Sequence, residues 1–301
     1  MLKKLDDLRG IVANEPVKKL VLAAAQDQHS LGAVLRAWKD GYVDPILIGD
    51  KESIQNIASS LGHEITGLRI IHEQDTDKAV EMAVKMVSSK QADVLMKGKV
   101  GTSTLLKCVL NKEWGLRTGR LLSHIALFEV ETYHKLIAVT DVAMNIAPNL
   151  QDKIAIVNNS VSCLHKLGIP VPKVAVLGAV EMVNENMEAT LDAALLSKMN
   201  QRDQIRGCII DGPLAFDNAV SLESAQHKGI RSEVAGDTDL LLMPDIEVGN
   251  VLYKSLVFFA QAKVASVILG ATAPIVLTSR SDSEQAKYDS ILLAAAASKA
   301  S

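Results

Sequence analysis

A short apolar run, Pro274-Ile275-Val276-Leu277, stops at Thr278-Ser279-Arg280-Ser281-Asp282-Ser283-Glu284. Hydroxyls, a guanidinium and carboxylates are thus gathered between an expected strand and an expected helix. Ser281 and Glu284 have capping-box spacing, so Ser281 is the expected N-cap. The first helical turn would aim free N–H groups and the positive end of the helix dipole outward, beside Arg280. That combination suits phosphate. Taken alone, the same residues describe a well-capped last helix carrying a surface arginine, which is the simpler reading of them.

A second candidate anion site is Lys97-Gly98-Lys99-Val100-Gly101-Thr102-Ser103, with Lys107 one turn further on. Its glycines permit close backbone approach, and Thr102 or Ser103 could cap the following helix. Lys97, Lys99 and Lys107 supply the positive charge. The loop does not match GxxxxGK[ST], and no GxGxxG occurs in the chain. The seven histidines form no HExxH, and no GxSxG elbow is present. The acidic pairs Asp237/Asp239 and Asp211/Asp217 lack clustered histidines. They read as helix caps or loop residues, not as metal ligands. Glu181, Glu185 and Glu188 lie near a helix start, where they complement its dipole. Cys108, Cys163 and Cys208 are widely spaced and contain no CxxC, so they read as buried free thiols in a reducing cytosol.

The chain has 301 residues, 48% hydrophobic and 22% charged, which predicts a packed core in one large domain or two ordinary ones. Aromatics are 3% and the net charge is −3. Both argue against a nucleic-acid surface, and the charge argues against an anionic-membrane surface. The start, Met1-Leu2-Lys3-Lys4-Leu5-Asp6-Asp7, carries acids where a secretory signal needs an apolar run. No apolar stretch is long enough to span a bilayer. The expected setting is the cytoplasm.

Strand-like and helix-like segments alternate along the chain. Strands are expected at 20–24, 45–49, 68–71, 93–96, 174–177, 208–210, 240–243, 264–269 and 275–278. Helices are expected at 31–39, 51–61, 75–89, 150–167, 186–199 and 246–262. A hairpin pairs 125–130 with 136–140. This repetition predicts an α/β protein, with a parallel sheet flanked by helices. Ligands bind at strand ends in such sheets. Met96-Lys97-Gly98, Asp211-Gly212-Pro213, Pro244-Asp245 and Thr278-Ser279-Arg280 all fall there. Gly115 to Arg120 breaks the rhythm and marks a plausible domain crossing.

Several segments, taken in order, resemble the phosphate acetyl/butyryltransferase family, and the butyryl branch most. They are the Lys97–Ser103 loop, Thr140-Asp141-Val142-Ala143-Met144-Asn145, Asp211-Gly212-Pro213-Leu214-Ala215-Phe216-Asp217, Val234-Ala235-Gly236, the run from Pro244 to Lys254, and Thr278 to Ser283. The resemblance runs from about Asp93 onward. It implies two doubly wound α/β domains with a cleft between them, like the isocitrate and isopropylmalate dehydrogenases. One domain would take residues 1–118 and 266–301, and the inserted one 119–265. It implies homo-oligomers, at least dimers. It also implies exchange of a short acyl group between coenzyme A and inorganic phosphate, with both as substrates and no permanently bound cofactor or metal.

On that resemblance Ser279, Arg280 and Asp282 are the catalytic candidates. Lys97, Lys99, Thr102, Ser103, Lys107, Asp211, Asn250 and Lys254 are the phosphate and coenzyme A candidates. The acetyl branch uses a Ser-Arg pair and an Asp seven places after the Ser as base. Here that place holds Ala286, so Asp282 is the nearest substitute, although an acid in a first helical turn is ordinary stabilisation. Lys107 stands where the acetyl enzymes use an Arg, keeping charge without bidentate geometry. Acetyl or branched-chain specificity, a metal- and nicotinamide-dependent dehydrogenase, and a non-catalytic module like those appended to malic enzymes are the alternatives.

Overall fold

The computed structural model describes residues 2–279 and 282–298. The chain forms two units, crossing between them at 5/6, 120/121 and 264/265. One holds residues 6–120 and 265–298; the other holds 121–264 together with residues 2–5. Those first residues depart from the expected division. The Leu5 N–H donates to Glu129 Oε2 at 2.9 Å, and Leu136 N–H donates to the Leu2 carbonyl at 3.1 Å. The Leu5 side chain is buried.

In the first unit the order is α1 (Asp7–Ala13), β1 (Lys18–Ala23), α2 (Gln28–Lys39), β2 (Val43–Gly49), α3 (Lys51–Ser60), β3 (Arg69–His72), α4 (Thr76–Ser88), β4 (Val94–Lys97) and α5 (Thr102–Val109). Helices α2, α3 and α4 start where a side chain satisfies an orphan N–H: Asp27 accepts from Ser30, Asp50 from Ser53, and Asp75 from Asp77 and Lys78. In α4 the apolar residues at helical spacing, Ala79, Val80, Ala83, Val84 and Val87, are buried.

The second unit contains β5 (Ser123–Glu129), β6 (Ile137–Thr140), α6 (Leu150–Lys166), β7 (Lys173–Leu177), α7 (Glu188–Gln201), β8 (Ile209–Leu214), α8 (Phe216–Val220), α9 (Leu222–His227), β9 (Leu240–Leu242) and α10 (Ile246–Phe258). The chain then returns through β10 (Lys263–Leu269), β11 (Ile275–Val276) and α11 (Glu284–Ala297).

Strand order is β3-β2-β1-β4-β11-β10 in the first group and β5-β6-β9-β7-β8 in the second. Neighbours from β3 to β11 are parallel, but β10 runs antiparallel to β11. In the second group β5 and β6 form the antiparallel hairpin, and β6, β9, β7 and β8 are parallel. The sheet is therefore mixed: the hairpin is antiparallel as expected, and β10 beside β11 adds a second antiparallel pair to the parallel sheet that was expected. The central strands β1 and β4 are buried throughout their apolar residues, as strands covered on both faces must be. Strand β8 continues through Asp211-Gly212-Pro213 to Leu214, so Asp211 does not end a strand. It lies at the end of the strand order, where a proline is tolerated. Helix α10 stops at Phe258, four residues before its expected end at 262. The short helices α1, α8 and α9 carry too little periodic pattern to be read from sequence. Among the described residues no helix is long and apolar enough to cross a membrane.

Candidate active site

Three neighbouring strands of the first unit deliver residues to one edge. Ala23 at the end of β1 pairs with Lys97 at the end of β4, and Val276 of β11 pairs with Met96. All three run parallel, so Thr278 and Ser279 leave the sheet beside Lys97 and Gly98. This is the carboxyl edge on which open α/β sheets bind ligands.

The turn after β4 is drawn tightly against the end of β1. Gly98 N–H donates to the Ala23 carbonyl and Lys99 N–H to the Ala24 carbonyl, both at 2.8 Å. A Cβ on Gly98 would lie 2.2 Å from the Ala24 carbonyl oxygen, so only glycine fits. Lys97 is buried, and its Nζ reaches the carbonyls of Gly98 and Val100 at 3.4 and 3.3 Å. It braces the turn from inside. Lys99, Thr102, Ser103 and Lys107 are exposed. The expected cap is corrected here: Gly101 is the N-cap of α5, and Thr102 and Ser103 lie in its first turn without capping it. The positive end of α5 therefore carries no side-chain acceptor of its own, which suits an external anion.

The segment after β11 is organised differently. Helix α11 is capped by Ser283, whose Oγ accepts Ala286 N–H at 3.1 Å, and not by Ser281. Arg280 and Ser281 lie outside the described residues. Asp282 accounts for the later start. Its Oδ2 accepts the Ser279 N–H at 2.6 Å, and its own N–H donates to the Ser279 carbonyl at 3.2 Å. Both the Asp282 carboxylate and its N–H are thus engaged with Ser279, and α11 begins only after Ser283.

The residue that the sequence reading missed is Lys287. It sits one turn into α11, is 3% exposed, and sends Nζ back to the Thr278 hydroxyl at 3.1 Å and the Ser279 carbonyl at 2.9 Å. Burial pulls its ammonium below the ordinary lysine value, against the opposing pull of Asp282 and Asp27. Burial would raise the Asp27 carboxyl, but hydrogen bonds from Ser30 and the field of Lys287 outweigh it and hold the carboxyl low. The available sequence signal was positional: Lys287 shares a helix face with Ile291 and Ala294, both buried.

The other candidates belong to the second unit. Asn250 donates to the Val142 carbonyl at 3.3 Å from α10. Lys254, one turn on, lies over the rings of Tyr253 and Phe258 at 5.5 and 5.9 Å. Asp211 is on β8, away from that helix in sequence and element, and accepts the Gly212 N–H at 2.8 Å. The Thr140–Asn145 motif is held by buried Asp141, which accepts the N–H groups of His124, Ala143 and Met144 and the Asn145 amide. Gly249 lets α10 approach it, since a Cβ there would meet the Asp141 carbonyl oxygen at 2.5 Å.

The remaining acids are structural. Asp237 contacts Lys135, Lys173 and His134, and Asp239 contacts Lys135; neither caps a helix. Glu181 contacts Lys228 and Asn218. Burial pushes the Cys163 thiol up to about 12 and the Cys208 thiol up to about 11. Cys108 is only half-buried, and burial with Glu81 and Asp77 raises it as well. A raised thiol is a poor nucleophile at neutral pH. Among the described residues no group of three His, Cys, Asp or Glu could hold a metal ion.

An open helix N-terminus, a lysine-bearing glycine turn and a braced serine thus stand at adjacent strand ends of an α/β unit, on the edge where such sheets bind ligands. Residues 72–295 match the family Phosphate acetyl/butaryl transferase, and the chain belongs to it. It is 49% identical to the phosphate butyryltransferase of Clostridium acetobutylicum, across 98% of both chains. It is 47% identical to the phosphate acetyltransferase of Thermotoga maritima, across 92% of this chain and 94% of that one. The crystal structure of a branched-chain phosphotransacylase from Enterococcus faecalis V583 superposes with a TM-score of 0.81 at 34% identity, covering 93% of this chain and 99% of that one.

Proposed function

We propose that this protein exchanges a short acyl group between coenzyme A and inorganic phosphate, with butanoyl as the acyl group: butanoyl-CoA + phosphate = butanoyl phosphate + CoA. The observation that supports this most is the full-length likeness to a phosphate butyryltransferase. The acetyltransferase relative is nearly as similar at 47% identity, and the branched-chain phosphotransacylase shares 34%, so acetyl or branched-chain specificity is the second reading.

The residues meet the demands of the reaction. A phosphate oxygen attacks the thioester carbonyl carbon, a C–O bond forms, and the C–S bond breaks. The proton of the phosphate monohydrogen ion ends on the departing thiolate. Arg280 offers a planar fork for phosphate, and the open N-terminus of α5 with Lys99 and Lys107 offers a second anion site. Ser279 supplies a hydroxyl donor for the oxyanion of the tetrahedral intermediate. Its N–H is held by Asp282, so the hydroxyl is the donor assigned. In the reverse direction the coenzyme A thiol, ordinarily near a pKa of about 8.5, loses its proton more readily beside positive charge. Asp282 is read as the residue that fixes the Ser279 turn, in place of the base first expected. Asp211, Asn250 and Lys254 are proposed to contact coenzyme A.

The protein is proposed to be cytoplasmic and to work as a homo-oligomer, at least a dimer. The exposed apolar face of α10, with Val248, Val251 and Phe258 followed by Phe259, supports self-association. The test of function is free-thiol release from butanoyl-, acetyl- and isobutanoyl-CoA with and without phosphate. Phosphate-dependent release fastest with butanoyl-CoA is expected. No phosphate-dependent release with any of them would remove the proposal, and fastest release with acetyl- or isobutanoyl-CoA would replace its acyl group.

A further inference from the structure

We infer that Lys287 is a positioning residue for acyl transfer: with Asp282 it clamps the backbone of Ser279, and so aims the serine hydroxyl at the reacting carbonyl. This rests on the transferase reading above.

The argument begins with the helix. Side chains of an α-helix lean toward its N-terminus, so a lysine one turn inside α11 reaches the segment preceding the helix. Lys287 does so, and both its contacts fall on the consecutive residues Thr278 and Ser279. Asp282 holds the same serine from the other side of its peptide groups. The Ser279 N–H is taken by a carboxylate. Its carbonyl accepts from both an ammonium and a backbone N–H. With both peptide groups tied, the direction of the Cα–Cβ bond is set before substrate arrives.

Stability does not explain the choice of lysine. From Lys287 to Ala297 every residue of α11 is buried, and an unbranched apolar side chain would suit that setting. A buried ammonium that meets neutral oxygens in place of a carboxylate costs folding free energy. Among the described residues, Asp27 and Asp282 act on it through their field and do not form an ion pair with it. A costly charge aimed at the serine beside a proposed catalytic arginine is the pattern of a functional position.

The test is a double-mutant cycle with Lys287→Met and Ser279→Ala in the full-length protein, reading thiol release, both KM values and amide hydrogen exchange. In K287M, kcat falls about 100-fold, the loss typical of a misaimed group, while KM for phosphate and acyl-CoA stays within about threefold. In the S279A background the same substitution costs less than about threefold, because the hydroxyl it aims is gone. Exchange of the peptide spanning 275–284 accelerates in K287M. Lys287→Gln serves where K287M does not fold. A near-normal kcat, or the full 100-fold cost repeated in S279A, overturns the inference. If S279A is too slow to measure, unchanged exchange of the 275–284 peptide overturns it. Wild-type protein without phosphate-dependent thiol release removes the transferase reading, and this role with it. Wild-type activity with an unaffected K287M removes this role alone.

Discussion

Two buried lysines of this protein have opposite surroundings. Lys135, 4% exposed, lies against Asp237 at 2.8 Å and Asp239 at 2.6 Å, and donates to the Asp237 carbonyl at 3.0 Å. Lys287, equally buried, meets a hydroxyl and a carbonyl, with Asp27 and Asp282 acting only at a distance. The first charge is matched by carboxylates and ties the starts of β6, β7 and β9 together. The second is kept with partial compensation, at the strand end where the candidate site lies. A matched buried charge holds a fold in register; an under-matched one signals that the position is kept for something other than stability.

Substitutions can break or sharpen this contrast. Lys135→Met removes the lysine that Asp237 and Asp239 share, so it should cost about 3 kcal/mol in urea unfolding, while kcat of the folded protein stays normal. A destabilisation below about 1 kcal/mol would show that the cluster is not the brace described. Asp282→Asn exchanges a charge-assisted bond to Ser279 N–H for a neutral one. It should lower stability by about 1 kcal/mol and the rate by less than about tenfold. A loss of 100-fold or more would restore Asp282 as the general base, for which 10²–10⁴ is typical.

The acid limb separates the two lysines further. Burial would raise the Asp237 carboxyl, but bonds from Lys135, Lys173 and His134 hold it well below the usual carboxylate range. Its contribution is present above the unfolded value of about 3.9 and is lost as pH falls through the lower folded value. The urea midpoint of the wild type should therefore drop on going below about pH 4. In Asp237→Asn it starts lower at neutral pH and falls less. Equal acid loss in both proteins would place the sensitive carboxylate elsewhere.

Much of the frame was legible in the sequence. Buried parallel strands are continuous apolar runs, so β1, β2, β4 and β7 stand out, and the hairpin of β5 and β6 follows from two such runs around a polar turn. The start of α11 was misplaced for a local reason. Ser281-x-x-Glu284 has the capping-box form, but the Asp282 carboxylate reaches back to Ser279, so the helix begins only after Ser283. Asp211 was read as a strand end because Gly-Pro follows it. The strand continues at the end of the order, where the missing proline N–H costs no ladder bond. The antiparallel entry of β10 beside β11 depends on the chain reversing across residues 270–274, between two apolar runs that look alike. Lys287 was hidden by its type. The spacing put it on a buried face, but lysine is rarely buried, and its partners precede the helix by several residues. Arg280 and the Lys97 loop were candidate anion sites by residue type, but only the order of motifs set them and Ser279 above their ordinary structural readings.

The most direct test of the account is kcat for phosphate-dependent thiol release by Lys287→Met, measured beside its urea midpoint. The prediction is a rate about 100-fold below wild type with a midpoint unchanged or raised. A lowered midpoint with a near-normal rate would contradict it, and would make Lys287 a structural lysine like Lys135.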